Sequence, residues 1–171
     1  KYIPFEKANR GSVYQLMDNY SLFYFKFVVP NHRRDPHYWT KKLGTSEQNA
    51  WSGLAFERLC LQHADQIREA LGIRGVNATV HSWRGPHSQI DMLIDRDDNV
   101  VNVCEMKFAN DEYALTAEDE KDMRRKIDEL KAASKTRKSV HATYVTSCGL
   151  AANPYAKDVQ SEVTLEDLFH E

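Results

Sequence analysis

The stretch SQIDMLIDRDDNVVNVCEMKF (Ser88–Phe108) decides the reading of this chain. Ile90, Met92 and Ile94 alternate with Gln89, Asp91 and Asp95, and Val100 to Phe108 is a nearly continuous apolar run broken by Asn102, Glu105 and Lys107. Both patterns are those of strands with one or two buried faces. Between them, Asp97, Asp98 and Asn99 are residues that tolerate tight backbone geometry, so they are read as a hairpin turn. With those three as the loop, Arg96 faces Val100 and paired residue numbers sum to 196. Asp91 then lies opposite Glu105 and Gln89 opposite Lys107, a polar patch on one face of two otherwise apolar strands.

Two carboxylates facing each other repel unless something neutralises them. Val101 and Val103 precede Glu105 on its face, while Cys104, Met106 and Phe108 occupy the other, so escape into water is poor and an unpaired charge is costly. A divalent cation is an economical partner. Oxygen donors with no Cys or His at ligand spacing point to Mg²⁺ or Mn²⁺ rather than zinc. The alternative is a structural ion pair of Lys107 with Asp91 or Glu105.

Outward from the hairpin, Ser46-Glu47-Gln48-Asn49 reads as a helix start with Ser46 as cap. Phe56, Leu59, Cys60, His63, Ile67, Ala70 and Leu71 recur at helical spacing, and Gly72 is the stop. Glu57 lies on that helix among Gly53, Cys60 and Ala64, small neighbours expected to let the helix edge approach a sheet. Val76, Ala78 and Val80 announce a first strand, Ala117–Ser134 a charge-rich amphipathic helix with Met123, Ile127 and Leu130 on its apolar side, and Ser139–Thr146 a fourth strand. Val159–Leu168 adds a short strand and a terminal turn. Helix, three strands, helix and strand make an α/β fold: a sandwich whose central mixed sheet of four to five strands is flanked by helices.

Residues 1–46 differ in character. Val13–Met17 reads as a short strand, Asn19–Val29 is densely aromatic, and Pro30 to Pro36 reads as a linker. They form an expected N-terminal arm, with residues 47–171 as the main domain. The chain begins with Lys1, read as a piece of a longer protein. Its 171 residues carry 23 Lys+Arg against 25 Asp+Glu, a net charge of −2, which argues against coating nucleic acid by bulk electrostatics but not against touching it locally. Three widely spaced cysteines point to a reducing, cytoplasmic setting. No signal peptide or membrane span is read.

Glu57, then Asp91, then Glu105-Met106-Lys107 resembles the signature of the PD-(D/E)xK nuclease superfamily, with its restriction-endonuclease-like fold. In that family a helix supplies one acid and a central hairpin supplies Asp and the (Asp/Glu)-x-Lys triplet. The likeness covers about residues 47–147; one departure is Ile90 where many members have Pro before the Asp. More narrowly, GLAFERLC, SQIDMLIDR and VNVCEMKF resemble a C-terminal domain of prokaryotic AAA-type ATPases, and VYQLMDNYSLFYFKF resembles the segment leaving their winged helix. The chain itself carries no P-loop sequence.

The resemblance implies Mg²⁺- or Mn²⁺-dependent hydrolysis of DNA phosphodiesters. Asp91 and Glu105 would be direct metal ligands with the Met106 carbonyl. Glu57 would hold a second metal or a metal water, and Lys107 would position or activate the attacking water and stabilise transition-state charge. Gln89 and Arg84 are the candidates for phosphate and substrate contact. Implied partners are DNA and the ATPase and winged-helix regions of the same protein, with no membrane, and with homo-oligomerisation left open. The competing readings are a nuclease-like domain without activity that regulates such an ATPase, and a pure protein-interaction module using the aromatic arm. His81 and His87 read as structural or surface residues. Arg124-Arg125-Lys126 and Lys135-Thr136-Arg137-Lys138 read as basic runs on solvated faces, the second a modest candidate for DNA contact.

Overall fold

Residues 16, 18–31 and 35–169 are described by the computed structural model. The strand expected over Val13–Met17 lies outside them except for Leu16, as does the middle of the expected linker. The aromatic stretch is helical: α1 (Asn19–Phe23) is capped by Asp18 and continues as a π-helical turn over Tyr24–Val28. It is docked rather than free. Phe27 is 2% exposed and meets Trp39 and Trp51 edge-on at 5.2 and 5.8 Å between ring centres. Asn19 accepts a hydrogen bond from Arg58 Nε at 2.9 Å.

Helix α2 (Ser46–Gln62) is capped one residue earlier than expected. Thr45 Oγ1 accepts from the Gln48 N–H, and the Gln48 side chain accepts from the Gly44 N–H at 3.0 Å, so the cap and its back-bonding partner are Thr45 and Gln48. The single helix expected to run through Leu71 is two, because the ladder breaks at His63. Its N–H is shared between the Leu59 and Cys60 carbonyls, a tightening toward 3₁₀ geometry, and its ring Nδ1 also sits 2.9 Å from the Leu59 oxygen. Helix α3 (Ala64–Ala70) follows. Gly72 ends it at φ 69°, with its own N–H bonded to Glu69 and that of Ile73 bonded to Arg68, a Schellman closure that needs a residue tolerant of positive φ.

Five strands follow: β1 (Ala78–Arg84), β2 (Gln89–Arg96), β3 (Val100–Lys107), β4 (Ser139–Thr146) and β5 (Ser161–Thr164), in the order β1-β2-β3-β4-β5. The first three form an antiparallel meander, while β3–β4 and β4–β5 are parallel, so the sheet is mixed. Helix α4 (Ala117–Ser134) makes the crossover from β3 to β4. A reciprocal capping box starts it, in which Thr116 and Asp119 bond each other's backbone N–H. It ends at Lys135, which takes the left-handed conformation.

The sheet is buried on both faces. On one side Met92, Ile94, Cys104, Val145 and Val163 pack against Phe56 and Cys60 of α2 and Ile67 of α3. On the other, Leu93, Val101, Val103 and Tyr144 pack against Met123 and Leu130 of α4. The fold is therefore α/β, a five-stranded mixed sheet flanked by helices. No helix among the described residues is long and apolar enough to cross a membrane.

Candidate functional site

The β2–β3 turn follows the sequence reading. Asn99 takes φ 64° in the three-residue loop, and Met92↔Cys104, Leu93↔Val103, Ile94↔Asn102 and Asp95↔Val101 all sum to 196. Asp91 and Glu105 are the next residues along, just past the last of these pairs. There a β-bulge interrupts β2. His81 pairs with Leu93 but Trp83 with Ile90, so Ser82 stands against both Asp91 and Met92.

The bulge reverses the inside–outside alternation. Ile90 joins Leu93 and Trp83 in the core under α4, whereas Met92 faces α2. The expectation that Gln89, Asp91, Glu105 and Lys107 share one face by parity therefore needs correcting. Gln89 instead lies opposite Arg84, in a chain of hydrogen bonds: Arg84 Nη2 donates to Gln89 Oε1 and Gln89 Nε2 donates to Asp91 Oδ1, each at 2.6 Å.

Glu105 extends from the Val101/Val103 face toward α4 and meets two ammonium groups. Lys107 Nζ is 3.4 Å from Oε1, and Lys126 Nζ is 2.6 Å from Oε2. Each lysine has another carboxylate. Lys107 lies 2.9 Å from Asp119 Oδ1 and Lys126 lies 3.0 Å from Asp122 Oδ2. Burial pulls both lysine pKa values down, but these carboxylates outweigh it and hold both above the ordinary value. Burial likewise raises Asp119, but hydrogen bonds from Thr116 and Lys107 prevail and its carboxyl lies below the usual range. The Lys107 ammonium also sits 5.6 Å from the centre of the Tyr113 ring.

Glu57 comes from α2, the layer on the opposite face from α4. It is half-buried, and burial followed by the charge of Asp91 raises its pKa, with Glu105 adding to the effect and Arg58 opposing it. The three acids thus share one electrostatic field. The small-neighbour expectation does not hold at Gly53, where an added Cβ would meet nothing within 4 Å.

Among the described residues, no three His, Cys, Asp or Glu side chains converge closely enough to hold a metal ion. The donor chemistry of the expected set fits a hard cation: two carboxylates, Asp91 and Glu105, and a backbone carbonyl at Met106, whose side chain packs in the α2-side core. The mutual repulsion felt by Glu57 is what such a cation would relieve. Ligation at Glu105 Oε2 would require Lys126 to yield.

Lys126 and Asp119 escaped the sequence reading. In the sequence Lys126 reads as part of a solvated basic run, yet it is 9% exposed. The signal was its place three residues after Met123 and four before Leu130, on the apolar stripe of α4. Three other basic residues of those runs are paired. Arg124 pairs with Glu120, Arg125 with Asp122, and Lys138 donates to Asp95 and to the Arg96 carbonyl at 2.6 Å each. His81 Nε2 lies 2.7 Å from Thr79 Oγ1, and the His87 N–H is bound by Glu129.

No family model and no curated protein matches the chain. Among solved structures it is similar to the crystal structure of AF1548, described as a protein of unknown function, at 16% identity and a TM-score of 0.44. The likeness covers 63% of this chain and 64% of that one, less than two thirds of its length. At that degree it carries no argument about fold or activity.

Proposed function

We propose that the chain is a Mg²⁺- or Mn²⁺-dependent phosphodiesterase acting on DNA, with a restriction-endonuclease-like architecture, and that it is the nuclease domain of a larger cytoplasmic AAA-type ATPase. The observation that carries this reading is the end of the β2–β3 hairpin. The 196 register brings Asp91 and the Glu105-Met106-Lys107 triplet to the same end of two adjacent strands, and β2 bulges at Asp91.

Asp91, Glu105 and the Met106 carbonyl would hold the cation, which when bound supplies Lewis-acid polarisation of the scissile phosphate. Glu57, its carboxyl biased toward the protonated form by burial and by Asp91, would hold a water at the edge of that site. Lys107, with its ammonium 3.4 Å from Glu105 and 2.9 Å from Asp119, would position or activate the attacking water and stabilise developing phosphate charge. Arg84 and Gln89 are exposed beside Asp91 and would orient a phosphate while Gln89 steadies Asp91.

The test is cleavage of supercoiled, linear and branched DNA in Mg²⁺ or Mn²⁺. Cutting by the wild type that disappears in folded Asp91→Ala, Glu105→Ala and Lys107→Ala supports the reading. A wild type that cuts no form of DNA and takes up neither ion defeats it. One observation favours a second reading, a nuclease-like domain without activity that regulates the ATPase: both oxygens of Glu105 have lysine neighbours, as in a structural ion pair.

A further inference from the structure

Lys126 projects from the inner face of α4 between the buried Met123 and Leu130 and ends on Glu105 Oε2 at 2.6 Å. A buried ammonium at that carboxylate occupies the place where a cation would bind. Its second contact, Asp122 Oδ2 at 3.0 Å, lies one helical turn earlier on the same helix, so Lys126 can leave Glu105 without becoming an unpaired buried charge. Lys107 has the same provision: Asp119 at 2.9 Å is already closer than Glu105 at 3.4 Å. Two acids of α4 thus stand ready to receive the two ammonium groups that crowd one acid of β3.

We propose that Lys126 is the resident counter-ion of Glu105, displaced onto Asp122 when a divalent cation binds, so that this exchange sets how tightly the site takes its metal. The inference rests on the metal-dependent reading above. It makes Lys126 a positioning residue for Glu105 that competes with the cation.

The experiment is calorimetric titration of the whole chain with Mn²⁺ and with Ca²⁺, alongside the rise in melting temperature each ion produces. Lys126→Gln is the main variant, and Lys126→Met serves if the first folds poorly. Lys121→Gln is a charge-matched control at an exposed position of the same helix. Removing a competing unit charge at contact distance is expected to tighten Mn²⁺ binding about tenfold in Lys126→Gln. Lys121→Gln should stay close to wild type. Asp122→Asn, which takes away the acceptor, should weaken binding severalfold, and Glu105→Gln should abolish it. Wild-type binding with Lys126→Gln no tighter than Lys121→Gln overturns the counter-ion role and leaves the metal site standing. Absence of binding in both wild type and Lys126→Gln overturns the metal reading and the counter-ion role together.

Discussion

Ser88 Oγ donates a hydrogen bond to Glu129 Oε2 at 2.6 Å, and the same oxygen accepts from the His87 backbone N–H at 3.3 Å. The tip of the β1–β2 hairpin is thereby tied to α4, and the turn is closed by the Gly85 N–H on the Ser88 carbonyl at 2.8 Å. A Cβ on Gly85 would come closer than 3.0 Å to both the Trp83 ring and this Glu129 oxygen. The carboxylate is flexible, but Trp83 is buried in the core under α4. Gly85→Ala is therefore expected to cost about 1–3 kcal/mol, as overpacking does. Urea unfolding checks this, and an unchanged midpoint would mean that Trp83 has room to move.

Phe27 anchors the N-terminal helical segment against Trp39 and Trp51. Phe27→Ala removes a fully buried ring, a change worth about 3–5 kcal/mol in a core. The loss should be local, because the two core clusters that flank the sheet do not include Phe27. Hydrogen exchange should quicken over residues 19–29 with strands β2–β4 unaffected, and tryptophan emission should shift to the red. Uniform acceleration across the sheet would show instead that the segment is integral to the main fold.

Glu57 and Asp119 predict opposite pH dependences. The carboxyl of Glu57 is raised in the folded state, so its contribution is full below the ordinary glutamate value of about 4.3 and is lost as pH rises through the folded value. Asp119 is depressed, so its contribution is present above about 3.9 and is lost as pH falls through the folded value. Stability measured from about pH 2 to pH 7 should therefore lose its decline on the neutral side in Glu57→Gln and part of its acid limb in Asp119→Asn. A Glu57→Gln profile parallel to wild type would show that neither burial nor the charge of Asp91 raises that carboxyl in the folded state.

Much of the sheet was legible because local signals agreed. Asp97, Asp98 and Asn99 fixed a turn, the turn fixed a register, and the register held. The spacing of Met123, Ile127 and Leu130 likewise marked α4, which spans Ala117–Ser134 as read, while the Thr116–Asp119 capping box at its start emerged only in the structure. What failed was what depends on more distant partners. The bulge at Asp91 answers to β1, and no two-residue period in β2 announces it. Lys126 reads as surface charge until α4 is laid across β3, since only then does Glu105 stand beside it. The break at His63 has no proline or glycine to mark it.

The parallel pairing of β3 with β4, reached through the α4 crossover, also leads to an expected order of folding. β1, β2 and β3 are joined by short turns, so the meander carrying Asp91, Glu105 and Lys107 can form through contacts near in sequence. Lys126 reaches Glu105 across a separation of 21 residues and is expected to join only once α4 has docked on β3. Glu105 would then exist in the folding transition state before its second ammonium does. Stopped-flow kinetics on Lys126→Met should accordingly show a change mainly in the unfolding rate, with refolding nearly that of wild type.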